Sequence, residues 1–224
     1  MVEYALIRSK RKTLAIYVKD GEVEVRAPLR MSRRDIDRFV AAKERWITDK
    51  LAKLRKQAEK REAFVLNYGD SIFYRGKEYP IAAQVGNRAG FDGTAFFMPP
   101  NLPSGQIKET CTRTYRRLAR RCLNEKTLGF AAQMGVNPAA VRITGAKTRW
   151  GSCSSKKNIS FSWRLIMAED AVIDYVVVHE LAHLKEMNHS AQFWAIVERV
   201  LPDFLKRKTR LKELQKRLAM EEWG

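Results

Sequence analysis

The chain has 224 residues, and 45% of them are apolar, which is enough to bury a core in one domain or in two small ones. The formal net charge is +18 and the isoelectric point is near 10.1, so polyanions will attract the chain, although charge alone specifies no chemistry. No apolar run is typical of a signal peptide or long enough to cross a bilayer, so we expect a cytoplasmic protein with no membrane partner. Cys111, Cys122 and Cys153 have no CxxC spacing, which favours neither a disulfide framework nor a cysteine zinc site.

The N-terminal part is predicted to be rich in strands. Short alternating runs within residues 3–28 indicate strands, and Asp20-Gly21 indicates a hairpin turn. Behind a capping residue, Ser32, apolar residues recur at helical spacing, which predicts one basic helix over about 32–61. Strand and turn signals return over 64–99. We therefore expect a β-rich N-terminal region over residues 1–103.

The rest of the chain, residues 104–224, is predicted to be mainly helical with a small sheet. The expected elements are helices over about 107–134, 169–187, 191–201 and 204–222, and short strands at 141–143 and 159–163. The expected fold class is therefore α+β.

The histidines carry the strongest chemical signal. All three in the chain lie between His179 and His189. His179 and His183 are four residues apart on a predicted helix, so both imidazoles project from one face and can hold one metal ion. Glu180 lies about 60° round the helix from His183, so it faces the same site without occupying a ligand position, where a general base is needed.

A catalytic zinc needs three protein ligands and one open position for water. His189 is the natural third ligand, provided that the helix ends after His183 and the chain bends back. Asn188 suits a left-handed helix C-cap and Ser190 can cap the next helix, so the local sequence favours such a bend. Glu198 and Glu213 are alternative third ligands.

Such a site would make water reactive towards a carbonyl group. Glu180 would take the proton of the water and later pass it to the leaving group. A second donor would help to stabilise the developing oxyanion. The candidates for that donor are Arg149, Arg164 and Tyr175, of which Tyr175 lies one turn before His179.

Several motifs resemble those of the YgjP-like metal-dependent hydrolases, which are related to the WLM and SprT-like zinc peptidases. The motifs are TRWGSCS (148–154), NIS (158–160), WRLI (163–166), DYVVVHELAHL (174–184), NHS (188–190) and FW (193–194). The resemblance is close over about 142–214 and looser towards the N-terminus. It implies a compact zincin-like catalytic domain that uses the three histidines as ligands and Glu180 as the catalytic carboxylate.

The resemblance also implies that the strand over 159–163 lies beside the cleft, where zincins pair an extended substrate with an edge strand. The histidine spacing matches the metzincin pattern too. However, Glu186 stands where that pattern has a glycine, which argues against a metzincin proper.

The leading functional hypothesis is a zinc-dependent metallopeptidase acting on a peptide or protein. A second hypothesis is a metal-dependent nucleotide phosphohydrolase, since a basic surface attracts phosphate esters. A third is a non-enzymatic nucleic-acid-binding module with structural zinc, in which the arginines of 113–121 and the terminal helix form the contact surface. A hybrid, a peptidase that acts on proteins held at nucleic acid, would combine the first and the third.

Overall fold

The computed structural model of the chain describes residues 2–19 and 21–223. Over these residues the fold is α+β, as predicted, with six α-helices and three small sheets that each mix parallel and antiparallel pairing. The strands are β1 (Ala5–Ser9), β2 (Ala15–Lys19), β3 (Glu22–Pro28), β4 (Ser71–Tyr74), β5 (Lys77–Ala83), β6 (Gly90–Phe91), β7 (Phe96–Met98), β8 (Ala140–Thr144), β9 (Gly151–Cys153) and β10 (Asn158–Ser162). The helices are α1 (Arg33–Ala42), α2 (Glu44–Glu62), α3 (Ser104–Met134), α4 (Asp170–Ala182), α5 (Ala191–Val200) and α6 (Phe204–Leu218), with a 3-10 helix at Trp163–Met167.

The first compact unit comprises the residues up to Phe64 together with Ala219–Glu222. Its sheet has the order β1-β3-β2, in which β3 pairs in parallel with β1 and antiparallel with β2. The β2–β3 pair is the predicted hairpin, although Asp20 of its turn lies outside the described residues. Alternate residues of β3 point to a core that the two helices complete, and the buried members are Val23, Val25, Ala27, Ile36, Val40 and Ile47.

The single helix predicted over 32–61 is two helices. Ser32 caps α1 as expected, because its hydroxyl accepts from the backbone N–H of Asp35 at 3.1 Å. The helix then breaks at Lys43, where φ is −110° and ψ is 6°. No glycine or proline marks this break, and the apolar repeat continues through it, since Val40 and Ile47 on either side are both buried.

The second compact unit comprises Val65–Leu218 and Trp223. It holds two sheets, of orders β4-β5-β7-β6 and β8-β10-β9. The long helix α3 packs against α4, the 3-10 helix and β8. Aromatic rings fill the core of the unit: Tyr115 stacks on Trp163 with centroids 5.6 Å apart and donates its hydroxyl to the carbonyl of Phe73 at 2.6 Å.

The compact units divide at Phe64. The sequence predicted a different kind of boundary, between residues 103 and 104, where the catalytic domain would begin. That boundary stays a prediction. None of the helices in the described part of the chain is both long and apolar enough to span a membrane. The cytoplasmic location also stays a prediction.

Candidate metal centre

Helix α4 carries the first two histidines of the predicted site. His179 lies in its last turn and His183 is its C-cap. The helix is apolar on nearly every side, and nine of its thirteen residues are buried. A helix that is apolar all round belongs in a protein interior, so packing on all sides fixes the direction in which both imidazoles project.

The chain bends back after α4, as the sequence predicted, but by a different route. The predicted helix over 169–187 is shorter, because it ends at Ala182 and continues as tight turns. Ser190 caps α5 as expected, since its hydroxyl accepts from the N–H of Phe193 at 3.3 Å. The prediction that Asn188 forms a left-handed cap is wrong: its backbone has no positive φ, and its side-chain oxygen accepts from the N–H of Ser190 at 3.0 Å.

This bend brings the three histidines together. The Nε2 atoms of His179 and His189 lie 3.1 Å apart, and a potential ligand nitrogen of each histidine lies within 4.8 Å of the other two. The Nδ1 of His183 lies 3.1 Å from the carbonyl oxygen of Glu186. Because a carbonyl oxygen can only accept, this Nδ1 carries the proton, and the Nε2 of His183 keeps its lone pair for a metal.

Burial favours the uncharged form of two of the histidines. Burial lowers the pKa of His179 to about 3, with help from the neighbouring His183, His189 and Lys208. Burial also lowers the pKa of His183. Neutral imidazole is the form that binds metal. The Nε2 atoms of His179 and His189, 3.1 Å apart, suit a shared cation, so the three residues fit a divalent metal.

Two aromatic residues of α5 support the cluster, and the sequence analysis gave them no role. The ring of Phe193 is fully buried and lies 4.9, 4.5 and 4.7 Å from the rings of His179, His183 and His189. Trp194 lies 5.7 Å from the His189 ring, nearly parallel to it. In a sequence, aromatic residues of an amphipathic helix look like ordinary core residues, so only the structure reveals this support.

Glu180 follows His179 directly on α4, and its side chain is buried. It is only 6% exposed, and burial raises its pKa to about 7, against the opposing charge of Arg149. Gly151 of β9 packs directly against it. A Cβ atom at Gly151 would lie 2.6 Å from both Cγ and Oε1 of Glu180. The carboxylate therefore occupies space that any other residue at position 151 would fill, a requirement that no local sequence pattern predicts.

The strand with a free edge near the site is β9. The strand predicted beside the cleft, 159–163, corresponds largely to β10, which is flanked by β8 and β9 and so cannot accept a further strand. The carbonyl of Trp150 accepts from Ser162, and the N–H of Ser154 donates to Asn158. Along an antiparallel ladder, residues whose backbone groups bond to the neighbouring strand alternate with residues whose groups point away from it. The backbone N–H and C=O groups of Gly151 and Cys153 therefore point away from β10, towards the free edge.

The predicted oxyanion donors divide into two groups. Tyr175 is buried, its ring lies 5.9 Å from that of His179, and burial together with Glu180 raises its pKa to about 12. Arg149 is exposed and near enough to Glu180 to affect its ionisation. Arg164, in contrast, is engaged elsewhere: its guanidinium donates to the carbonyl of Gly145 at 2.9 Å.

The alternative third ligands are not brought to the cluster. Among the residues that the structure describes, the one group able to hold a metal ion consists of the three histidines. Glu213 lines a groove elsewhere in the second unit, together with Phe73 and Arg217. Glu198 is an exposed residue of α5.

Comparison with known proteins agrees with this geometry. A family model described as "YgjP-like, metallopeptidase domain" matches residues 12–214, which is most of the chain. The chain belongs to the YgjP-like family. The predicted family is thereby confirmed, and membership makes the chain a metal-dependent peptidase by class, with the histidine cluster as a place where a divalent metal could bind.

Two solved structures are similar over part of the chain. One is the metallopeptidase zymogen abylysin of Pyrococcus abyssi, with 25% identity and a TM-score of 0.38, over 45% of this chain and 98% of that one. The other is the metallopeptidase zymogen jannalysin of Methanocaldococcus jannaschii, with 20% identity and a TM-score of 0.37, over 42% of this chain and 95% of that one. No curated protein matches the sequence significantly.

Proposed function

We propose that this YgjP-like protein is a zinc-dependent peptidase in which His179, His183 and His189 hold the metal and Glu180 is the general base. The observation that carries the proposal is the convergence of three imidazoles beside a buried carboxylate. Three protein ligands leave a position open, which is typical of catalytic rather than structural zinc. The family assignment supports hydrolysis of peptides.

The donor set favours zinc. Imidazole nitrogens suit zinc, whereas calcium and magnesium prefer oxygen ligands. His189 is exposed, so the cluster is open to solvent and substrate on that side. When bound, zinc supplies a Lewis acid that makes water a nucleophile at neutral pH.

Glu180 moves the protons in this proposal. Its carboxylate accepts a proton from the attacking water, and the resulting carboxylic acid donates it to the nitrogen of the leaving amine. The apolar surroundings and the contact with Gly151 hold the carboxylate in one place, which suits a group that must act twice at nearby positions.

The free edge of β9 suits an extended peptide. The outward backbone groups of Gly151 and Cys153 can pair with a substrate strand, which then lies beside Glu180. We assign the second oxyanion donor to Arg149 in preference to Tyr175, because the Arg149 side chain is exposed and its guanidinium offers several donors, whereas Tyr175 is buried.

The test compares Glu180→Gln with Glu198→Gln, which makes the same chemical change at an exposed residue of α5. The assays are cleavage of an unfolded protein substrate and metal content by mass spectrometry. Glu180→Gln should lower kcat by about 10²- to 10⁴-fold and keep its zinc, whereas Glu198→Gln should change neither. Full activity in Glu180→Gln would remove Glu180 from the mechanism. Phosphate release from nucleotides without peptide cleavage would favour a phosphohydrolase instead.

A further inference from the structure

The exposed face of α3 carries a dense row of arginines. Within nine residues of the helix, five arginines are exposed, while residues between them turn inward and include the buried Thr114, Tyr115 and Ala119. The five are Arg113, Arg116, Arg117, Arg120 and Arg121. We call this set the α3 arginine row. Its members share one side of the helix, because three- and four-residue spacings return to the same face.

Among the described residues, no carboxylate forms an ion pair with the row. The ion pairs in the described part of the chain use other cations, such as Arg75 and Lys126 of the same unit. The hydrogen bonds of the row go to neutral acceptors: Arg113 donates to the hydroxyl of Thr110, and Arg117 donates to the carbonyl of Ala89 at 3.1 Å. Five like charges on one helix face repel one another, and a bound polyanion would relieve that repulsion.

We propose that the α3 arginine row binds the phosphodiester backbone of nucleic acid without sequence preference. At about 1.5 Å per residue, the row runs about 12 Å along the helix, over which one strand of duplex DNA presents three to four phosphates. Arginine suits this partner, because its planar guanidinium can donate two parallel hydrogen bonds to one phosphate. The surface is built from α3 alone, so it stands independently of the zinc site.

Anionic lipid is the competing polyanion, and the row does not suit it as well. A helix that binds a membrane surface buries an apolar face in the lipid. Along α3, Leu128 is the single large apolar side chain that is exposed among the described residues. The exposed face thus offers charge without an insertion surface, which fits a phosphate backbone better than a bilayer.

The experiment uses the full-length protein and two charge-matched triple variants. One replaces Arg116, Arg120 and Arg121 by Gln. The control replaces three exposed lysines of α2 by Gln, removing the same charge from another basic helix; these lysines are Lys50, Lys53 and Lys56. Binding to a labelled mixed-sequence DNA duplex is measured from 50 to 200 mM salt, with thermal melting to check folding. Vesicles with and without phosphatidylserine are the second probe.

We expect the arginine variant to raise Kd by roughly tenfold or more. The salt slope, the steepness with which the logarithm of the binding constant falls with the logarithm of salt concentration, should decrease by about 2 to 3, since each lost phosphate contact removes about 0.9. The α2 control should keep most of the wild-type affinity. Equal weakening of both variants would overturn the proposal, because net charge alone would explain it. Absent duplex binding at 50 mM salt, or binding to anionic vesicles alone, would also overturn it. If the triple variant does not fold, Arg120→Glu alone must still lower the slope by about 1.

Discussion

Replacing Gly151 by Ala tests the contact between β9 and the proposed general base. The new methyl group would lie 2.6 Å from Cγ and Oε1 of Glu180 and 2.8 Å from its Cδ, whereas ordinary van der Waals contact begins at 3.4 Å. Glu180 or the strand must therefore move by about 0.8 Å at Cγ, the difference between 3.4 and 2.6 Å. The φ angle of Gly151 is not positive, so alanine can adopt this backbone and the effect is purely steric.

The expected effect is large on catalysis and moderate on stability. A displacement of about 1 Å in a catalytic group costs on the order of 10²-fold in rate. Adding a methyl group to a well-packed interior costs about 1–3 kcal/mol. We therefore expect Gly151→Ala to lower kcat by about 10²-fold, to leave zinc content unchanged, and to lower the melting temperature while keeping the native fold.

The assay measures kcat and KM on an unfolded protein substrate, beside zinc content and thermal melting. Gly129→Ala is the matched control, because Gly129 is an exposed residue of α3 and a Cβ there would meet nothing within 4 Å. That variant should keep full activity and gain up to about 1 kcal/mol of stability. The double variant Gly151→Ala with Glu180→Gln should be no slower than Glu180→Gln alone, since both changes act through one carboxylate.

Three results would refute this reasoning. If Gly151→Ala retained kcat close to that of the wild type, the steric contact would have no catalytic consequence. If Gly151→Ala lowered the kcat of the Glu180→Gln variant by the same factor as it lowers the kcat of the wild type, the loss would arise elsewhere, for example through the free edge of β9. Loss of zinc in Gly151→Ala would likewise show that the cluster, rather than Glu180, had been displaced.

Three further predictions follow from other contacts. His189→Ala should lose most of its zinc, measured by mass spectrometry after dialysis, because two ligands remain. Arg164→Met should unfold more easily by about 1–3 kcal/mol in urea, because the carbonyl of Gly145 loses its donor. Burial alone would raise the pKa of Asp170, but the hydrogen bond from Arg75 and nearby positive charge hold it below its usual value of 3.8. Asp170→Asn should therefore lower the free energy of unfolding by up to about 1 kcal/mol at pH 7. The difference from wild type should shrink as the pH falls below 3.8, because a group with a depressed pKa stabilises the fold only while it is ionised.

Each of these has an outcome that counts against it. Unchanged zinc content in His189→Ala would point to another third ligand. A fully stable Arg164→Met with lost activity would return Arg164 to the list of oxyanion donors. For the pH series, Asp49→Asn is the control, because Asp49 is exposed on α2 and forms no ion pair among the described residues. A similar pH profile in both Asn variants would show that the ion pair of Asp170 contributes nothing specific.

Local sequence patterns predicted most of the histidine cluster. The four-residue spacing of His179 and His183 fixes their common face through helical geometry alone. Ser190 marks the start of α5 because an N-cap is a property of a few adjacent residues. Asn188 was misjudged because a side chain that suits a left-handed backbone can equally accept a hydrogen bond within a turn, and both options use the same residue type.

Features that depend on distant segments were not predictable. The contact between Gly151 and Glu180 joins β9 to α4, and a glycine in an ordinary extended strand gives no local sign of it. The order β8-β10-β9 places the later strand in the middle, so the strand predicted beside the cleft is the one without a free edge. The break at Lys43 has no sequence signal, and we have no physical account of why it falls there.

The placement of charge separates the two proposed binding sites. A chain of +18 would repel a divalent cation on average, yet α4 contains no Lys or Arg and carries Asp170, Asp174 and Glu180. The α3 arginine row lies on another helix of the same unit and is where we propose that a polyanion binds. Screening weakens interactions between exposed charges far more than bonds between a metal and its coordinating nitrogens. Raising the salt concentration should therefore release nucleic acid while zinc stays bound, and loss of both together would mean that the two sites are not physically separate.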